Sequence, residues 1–422
     1  YGGDGYCAMH WNPTNSSNGR YTELYDYSGK ESYSCIYRYC DEGGMASMSS
    51  MHWKVVAWND IITVEISDNS SDSSYIYTVA NDKYKAGYIG FYSLTYAGNT
   101  SLKIDNLTID GYKIKNDNEE ISSGIWTDDF SENSIDRYTV TGPDNGIFGD
   151  WQVSGGLLRV TGTSAASNWW TTTLLLDGVN YENFVMEFDA EVSTGYGVVF
   201  RGQDDGKTAG TGFNTWYGGN TYVLMHHNPA DASSGEYMAL YDFNGEKTLI
   251  KSFGSPGTMG ALKKVHWILT ANENNIIVNV SNSEGEESYT YSIENIGYSN
   301  GSIGFYNTTR SGVTSLKIDN LTVTPINNIY ENDFSDSKTI DDFYTAGPDS
   351  GKWGTWQIAD SHLQVTGNTG AKWWGSSLIS NEKYDNFVME FDAESTAGYG
   401  LIFRAGNKEE LNTWYGGYGY CA

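Results

Sequence analysis

The sequence predicts an all-β protein built from tandem two-sheet sandwiches, and three observations carry that reading. Apolar and polar residues alternate with period 2 along most segments, and no amphipathic stretch of 3.6 periodicity is present. Turn chemistry punctuates the alternating runs. The composition agrees, with 33 Tyr, 14 Trp and 49 Gly but only 6 Pro among 422 residues. Aromatic and β-branched side chains suit a pleated, half-buried surface.

The elements follow in order. "HWKVVAWNDIITVEIS" (52–67) sets Trp53 in an apolar strand context, so Trp53 is expected in a core. "TGPDNG" (141–146) is a turn, and Trp151 just beyond it is again a core candidate. "NWWTTT" (168–173) and "KWWGSS" (372–377) each carry a Trp pair. Alternation turns one ring of each pair outward, as a sugar platform or an inter-domain contact. In "NFVMEFDAEV" (183–192), Phe184, Met186, Phe188, Ala190 and Val192 share one face, while Val185, Glu187, Asp189 and Glu191 share the other. "DFNGEK" (242–247) and "GSPGTMG" (254–260) are turns. In "SLKIDNLTV" (315–323), Leu316 and Ile318 alternate, an irregularity falls at Asp319–Asn320, and Leu321 and Val323 resume the pattern.

The chain repeats itself. Residues 52–67 match "HWILTANENNIIVNVS" (266–281), and residues 86–109 match 300–323. Separately, residues 128–162 match 332–367, and "NTWYGG" recurs at 214–219 and 412–417. These matches predict one complete sandwich at 127–325 and two partial ones. Residues 1–111 are the C-terminal part of a repeat, and 331–422 are the N-terminal part, with linkers at 112–126 and 326–330. Neither part holds the strands needed to cover both inner faces. The chain begins "YGGDGYCA" and ends "YGGYGYCA", where the central unit reads "YGGNTYVLM". An alternating array continuing beyond both ends accounts for this. The other account has the two parts complete each other, within one chain or head to tail between copies.

The formal charge of −28 and a sequence pI near 4.4 repel phosphate backbones, which argues against nucleic-acid partners. The same charge attracts divalent cations and suits an extracellular or cell-surface setting. No apolar run approaches the roughly 20 residues of a membrane span. Cysteines stand at 7, 35, 40 and 421, without C-x-x-C spacing. A disulfide pairing Cys7 with Cys35 or Cys40 is expected, with reduced buried thiols as the alternative.

The order of motifs carries a family resemblance. "DDFS", "WQVSGGLLRVTG", "NFVMEFDAEVSTGYGVVFRG", "NTWYGGNTYVLM", "VHWILTANENNIIVNVS", "GSIGFYN" and "SLKIDNLTV" together resemble the concanavalin A-like lectin/glucanase jelly roll. Within it, the sequence is most similar to laminin-G-like and levan-type carbohydrate-binding modules. The likeness covers nearly the whole chain, and it implies a fold more sharply than a ligand.

Glu-x-Asp-x-Glu, in "VMEFDAE" at 185–191 and 388–394, is also the spacing of the catalytic strand of family-16 glycoside hydrolases. Here the approach is "NYENF" or "KYDNF", lacking the Trp, Pro and Gly of those enzymes, so no enzymatic activity is expected. Carbohydrate binding needs flat aromatic faces and a few polar groups. Trp216 and Tyr217, with Trp414 and Tyr415, are candidate platforms. Arg201 and Arg404 end the strand that carries the acids and are expected beside Asp189 and Asp392, with Glu187 adjoining. The resemblance also implies a structural Ca²⁺, for which Asp105, Asp129, Asp319 and Asp333 are the candidates.

The expected function is that of an extracellular structural or adhesive protein forming surface fibres or stalks. Its partners would be copies of itself and glycans. A glycan-binding array attached to a polysaccharide-degrading enzyme is the alternative, and a glycoside hydrolase a third.

Overall fold

A computed structural model describes residues 5–10, 21–28, 32–40, 48–70, 74–113, 125–203, 219–226, 238–253, 263–282, 288–294 and 297–406. The chain divides into two compact units. Unit 1 joins Tyr1–Ile121 with Asn327–Ala422, and unit 2 is Ser122–Ile326.

Unit 1 takes its first eight strands from the start of the chain. These are β1 (Gly5–His10), β2 (Tyr21–Ser28), β3 (Ser32–Cys40), β4 (Ser50–Trp58), β5 (Ile61–Asp68), β6 (Ser74–Ala80), β7 (Gly87–Tyr96) and β8 (Thr100–Lys113). Unit 2 opens with β9 (Trp126–Asp128), β10 (Tyr138–Thr141), β11 (Gly149–Val153), β12 (Leu158–Gly162) and β13 (Trp170–Asn180). It continues with β14 (Phe184–Val192), β15 (Tyr196–Gln203), β16 (Asn220–His226), β17 (Met238–Phe243) and β18 (Lys247–Phe253). It ends with β19 (Lys264–Asn272), β20 (Asn275–Asn282), β21 (Ser288–Ile293), β22 (Ser302–Thr309) and β23 (Thr314–Pro325). Unit 1 then resumes with β24 (Asn328–Asn332), β25 (Phe343–Ala346), β26 (Gly354–Ala359), β27 (His362–Gly367), β28 (Lys372–Ser395) and β29 (Tyr399–Ala405).

Unit 2 is two antiparallel sheets. One runs β10-β13-β22-β15-β16-β17-β18, and the other β11-β12-β23-β14-β19-β20-β21, with β9 on β23. Successive strands such as β14 and β15, or β22 and β23, lie in different sheets, the connectivity of a jelly roll. The faces that meet carry the residues the alternation assigns inward. Phe184, Met186 and Phe188 of β14 pack with Val198, Phe200, Leu224 and Phe305 from the opposite sheet. Trp267 is fully buried, stacks on Phe188 at 5.6 Å and donates its indole N–H to the Tyr196 hydroxyl at 2.7 Å. Trp53 and Trp151 are core as expected, at 0% and 5% exposure, and Trp356, at the position in unit 1 that matches Trp151, is 7% exposed.

Unit 1 repeats this plan with its chain order permuted. β28 runs through both sheets. Its first part pairs β25 and β7, and its last part pairs β8 and β4. One sheet is therefore β25-β28-β7-β29-β1-β2-β3, and the other β26-β27-β8-β28-β4-β5-β6, with β24 on β8. Position by position these match the two sheets of unit 2. Where β15 pairs β16 with Phe200 opposite Tyr222, β29 pairs β1 with Phe403 opposite Tyr6. The strands that each outer segment lacks come from the other outer segment of the same chain. No second copy is needed to cover either inner face. The repeated C-terminal segment, 415–422, lies outside the described residues.

The irregularity read at Asp319–Asn320 is a bulge. Asn320 and its counterpart Asn106 have φ of 52° and 50°, and the β14–β23 register shifts between Glu187 and Asp189. Asn tolerates this left-handed conformation better than a branched residue. Among the described residues, no helix is long and apolar enough to cross a membrane.

Candidate functional site

Outward side chains on β14 and its equivalent in β28 form cross-strand rows. His266 on β19 stands opposite Asp189 and bridges two acids, with Nδ1 2.9 Å from Asp189 and Nε2 3.3 Å from Glu187. The amide of Asn320, aimed by the bulge, donates to the other Asp189 oxygen at 2.8 Å. Lys317 meets Glu191 at 2.6 Å. Unit 1 repeats the row. His52 lies 3.1 Å from Asp392 and 3.5 Å from Glu390, Asn106 donates to Asp392 at 2.8 Å, and Lys54 meets Glu390 at 2.8 Å.

The electrostatics follow from these contacts. Burial works against a charged ring, yet the bonds to the carboxylates overrule it, raising His266 to about 10 and His52 to about 9. The hydrogen bond from His266 holds Asp189 below its usual range, and that from His52 does the same to Asp392. Burial would raise Glu390, but Lys54 and His52 pull it down to about 2. A glycosidase acid needs a carboxyl whose pKa is raised so that it stays protonated. Asp189, Glu191, Glu390 and Asp392 are all pushed the other way. These rows are cross-strand ion pairs of the kind that fix a sheet's register.

The two arginines go elsewhere than the sequence suggested. Both are fully buried, with φ of 52° at Arg201 and 50° at Arg404. The acidic strand does not continue to the arginine: Arg201 is on β15, which lies in the sheet opposite β14, so it is not beside Asp189. Its guanidinium donates to the carbonyl of Glu182 at 3.0 and 3.2 Å and to that of Tyr298 at 3.0 Å. Arg404 donates to the carbonyls of Asn59 and Tyr84 at 2.8 and 3.1 Å, and to the Asn386 side chain at 3.3 Å. Neither reaches the acidic row. They tie neighbouring loop carbonyls together and satisfy buried donors of their own.

The expected calcium residues act as local caps. Asp129 accepts from the Ser131 backbone N–H and Asp333 from that of Ser335, both at 3.0 Å. Asp105 and Asp319 accept from the next residue, Asn106 and Asn320, at 2.8 and 2.9 Å. Among the described residues, no group of three or more His, Cys, Asp or Glu is arranged to hold a metal ion. The expected disulfide meets the sheet register. Cys7 on β1 and Cys35 on β3 both stand opposite Tyr25 of the intervening β2. Two strand spacings put them about 10 Å apart, beyond the roughly 7 Å that a disulfide spans. Cys40 stands opposite Tyr21, farther still along β2. The sequence could not show that β2 separates them. Trp216, Tyr217, Trp414 and Tyr415 lie outside the described residues.

A different surface carries the aromatic platform. Of each Trp pair, the second ring packs inward. Trp170 stacks on Phe148 at 4.8 Å, and Trp374 lies 5.6 Å from Trp353. The first ring faces solvent, with Trp169 49% and Trp373 47% exposed. In unit 1 the Tyr96 ring lies 5.3 Å from Trp373, tilted by 41°. The two rings open a cleft of about 340 Å³, shared with Asn99, Thr100, Ser101 and Thr396. The turn from β7 to β8 supplies Asn99, through Gly98 at φ 79° and a bond from the Asn99 N–H to the Tyr96 carbonyl at 3.0 Å. Alternation in the sequence signalled the outward Trp, but nothing in it marked Tyr96 as its neighbour.

The fold and this cleft define a pair of jelly-roll sandwiches with an aromatic-rimmed pocket. No family model and no curated protein matches the sequence. Among solved structures, similarity is found to a protein of unknown function with galectin-like fold from Bacillus subtilis. It is 11% identical, the match covers 48% of this chain and 96% of that one, and the TM-score is 0.37. Lectin II from Ulex europaeus is 13% identical over 49% of this chain and 99% of that one, with a TM-score of 0.35. The exoplasmic/lumenal domain of VIP36, in its Ca²⁺- and mannose-bound form, is 9% identical over 46% and 89%, at 0.32.

Proposed function

We propose that this chain is a non-catalytic, extracellular or cell-surface glycan-binding protein with an adhesive role. The observation that carries the reading is the exposed Tyr96–Trp373 pair with hydroxyl and amide groups at its edge. Apolar C–H faces of a pyranose stack on such rings, and its hydroxyls meet the Thr, Ser and Asn side chains. Trp169 repeats the platform in unit 2, so one chain offers two attachment points and gains avidity on a polymeric sugar. Attachment to a polysaccharide-degrading enzyme would use the same aromatic surfaces. The acidic strands take no part in this reading, because their carboxylates are already paired with His, Asn and Lys.

The test is a glycan array probed with the intact chain, followed by titration calorimetry on the hits. Binding that falls at least tenfold in Trp373→Ala or Trp169→Ala, with melting unchanged, supports the proposal. A chain that binds no glycan at millimolar concentration ends it.

A further inference from the structure

We infer that the two platforms take chemically different sugars: a neutral saccharide at Trp373 in unit 1, and an acidic one, bearing a carboxylate or sulfate, at Trp169 in unit 2. This rests on the glycan-binding reading above and deepens it.

The frames of the two sites coincide. Gly98 and Gly312 take φ of 79° and 74° at the same place in the β7–β8 and β22–β23 turns. Thr396 Oγ1 donates to the Thr100 carbonyl at 3.1 Å, and Ser193 Oγ donates to the Thr314 carbonyl at 3.1 Å. Thr100 and Thr366 share a hydroxyl contact at 3.0 Å, and Thr161 and Thr314 share one at 2.8 Å. Within this common frame the residue beside the Trp differs. Tyr96 of unit 1 becomes Arg310, whose guanidinium carbon lies 5.9 Å from the centroid of the Trp169 ring. Asn99 becomes Val313, so an amide is lost where a cation is gained.

The chemistry of the two edges then separates. No charged side chain lines the unit 1 cleft, which suits a neutral hexose or pentose. A guanidinium beside an aromatic face offers a forked donor set that fits a carboxylate or sulfate, while the ring takes the sugar's apolar side. Lys and Arg number 25 against 53 Asp and Glu, so cations have acids in excess to pair with. Yet Arg310 is exposed and forms no ion pair among the described residues. The net charge of −28 opposes an acidic ligand at long range, but at physiological salt that field is screened within roughly 8 Å. A contact of hydrogen-bond length is screened far less.

The experiment titrates the intact chain with cellohexaose, xylohexaose and maltohexaose as neutral probes, and with hexagalacturonate and a heparin hexasaccharide as acidic ones. Expected is one neutral and one acidic class of binding. Trp373→Ala should abolish the first and spare the second. Arg310→Ala should weaken the acidic class about tenfold and leave the neutral class untouched, with Arg310→Lys partly restoring it. Raising salt should weaken only the acidic class. Neutral binding with no acidic binding, or acidic binding within twofold of wild type in Arg310→Ala, overturns this inference and leaves the glycan reading standing. Should none of the five probes bind at millimolar concentration, both fall.

Discussion

Trp53 stacks on Phe391 with ring centroids 5.8 Å apart and planes 11° apart, although the two residues lie in opposite outer segments of the chain. Trp267 and Phe188 make the same contact in unit 2, at 5.6 Å and 13°. The core of unit 1 is thus made by residues from both ends of the sequence. Its integrity depends on their staying together.

A chain cut at a protease site engineered into the polar segment 112–125 should therefore keep its first fragment bound. Size-exclusion chromatography under native conditions should show both fragments in one peak, separating only in denaturant. Independent elution of residues 1–111 would contradict the permuted sandwich.

Removing one side of the cross-segment stack should destabilise one unit alone. Phe391→Ala empties part of a well-packed core and should cost about 3–5 kcal/mol. In calorimetry the transition of unit 1 should fall and that of unit 2 should stay. Phe188→Ala should do the reverse.

The bridging histidines set an alkaline limit. Their folded pKa values, about 10 for His266 and about 9 for His52, lie above the usual 6.5. Their contribution is therefore complete below pH 6.5 and is lost as pH rises through 9–10. Asp189 and Asp392 are lowered, so theirs holds above the ordinary carboxylate range and fades under acid. A melting-temperature profile should decline above pH 9, and His266→Gln with His52→Gln should flatten that limb.

His10 should add an acid limit to unit 1. It is fully buried, neither ring nitrogen has a hydrogen-bond partner among the described residues, and burial lowers it to about 4. Its neutral form contributes above pH 6.5, and that contribution shrinks as pH falls towards 4. His10→Phe should remove this slope and, by deleting unsatisfied buried nitrogens, stabilise unit 1 by about 1 kcal/mol. A steeper acid slope in the variant would refute the account.

Arg201 should behave as a structural residue. Arg201→Met strands the carbonyls of Glu182 and Tyr298 and should cost about 3 kcal/mol. Glycan affinity, measured below the melting transition, should not change. A loss of affinity without a loss of stability would restore the arginine to the binding site.

The sequence by itself determined what is local or periodic. Period-2 alternation assigned Phe184, Met186 and Phe188 inward and one Trp of each pair outward, which the structure identifies as Trp169 and Trp373, and the break at Asp319–Asn320 marked the bulge. Repetition showed that two partial sandwiches flank a whole one. Tertiary structure decided everything that joins distant residues. That β1 pairs β29 within one chain, that β2 separates Cys7 from Cys35, and that Tyr96 stands beside Trp373 are facts of sheet order. Alternation fixes which face a side chain takes but not which strand lies next to its own. Arg201 shows the same limit, since its strand β15 lies in the other sheet from β14 and Asp189, which alternation along the sequence does not reveal.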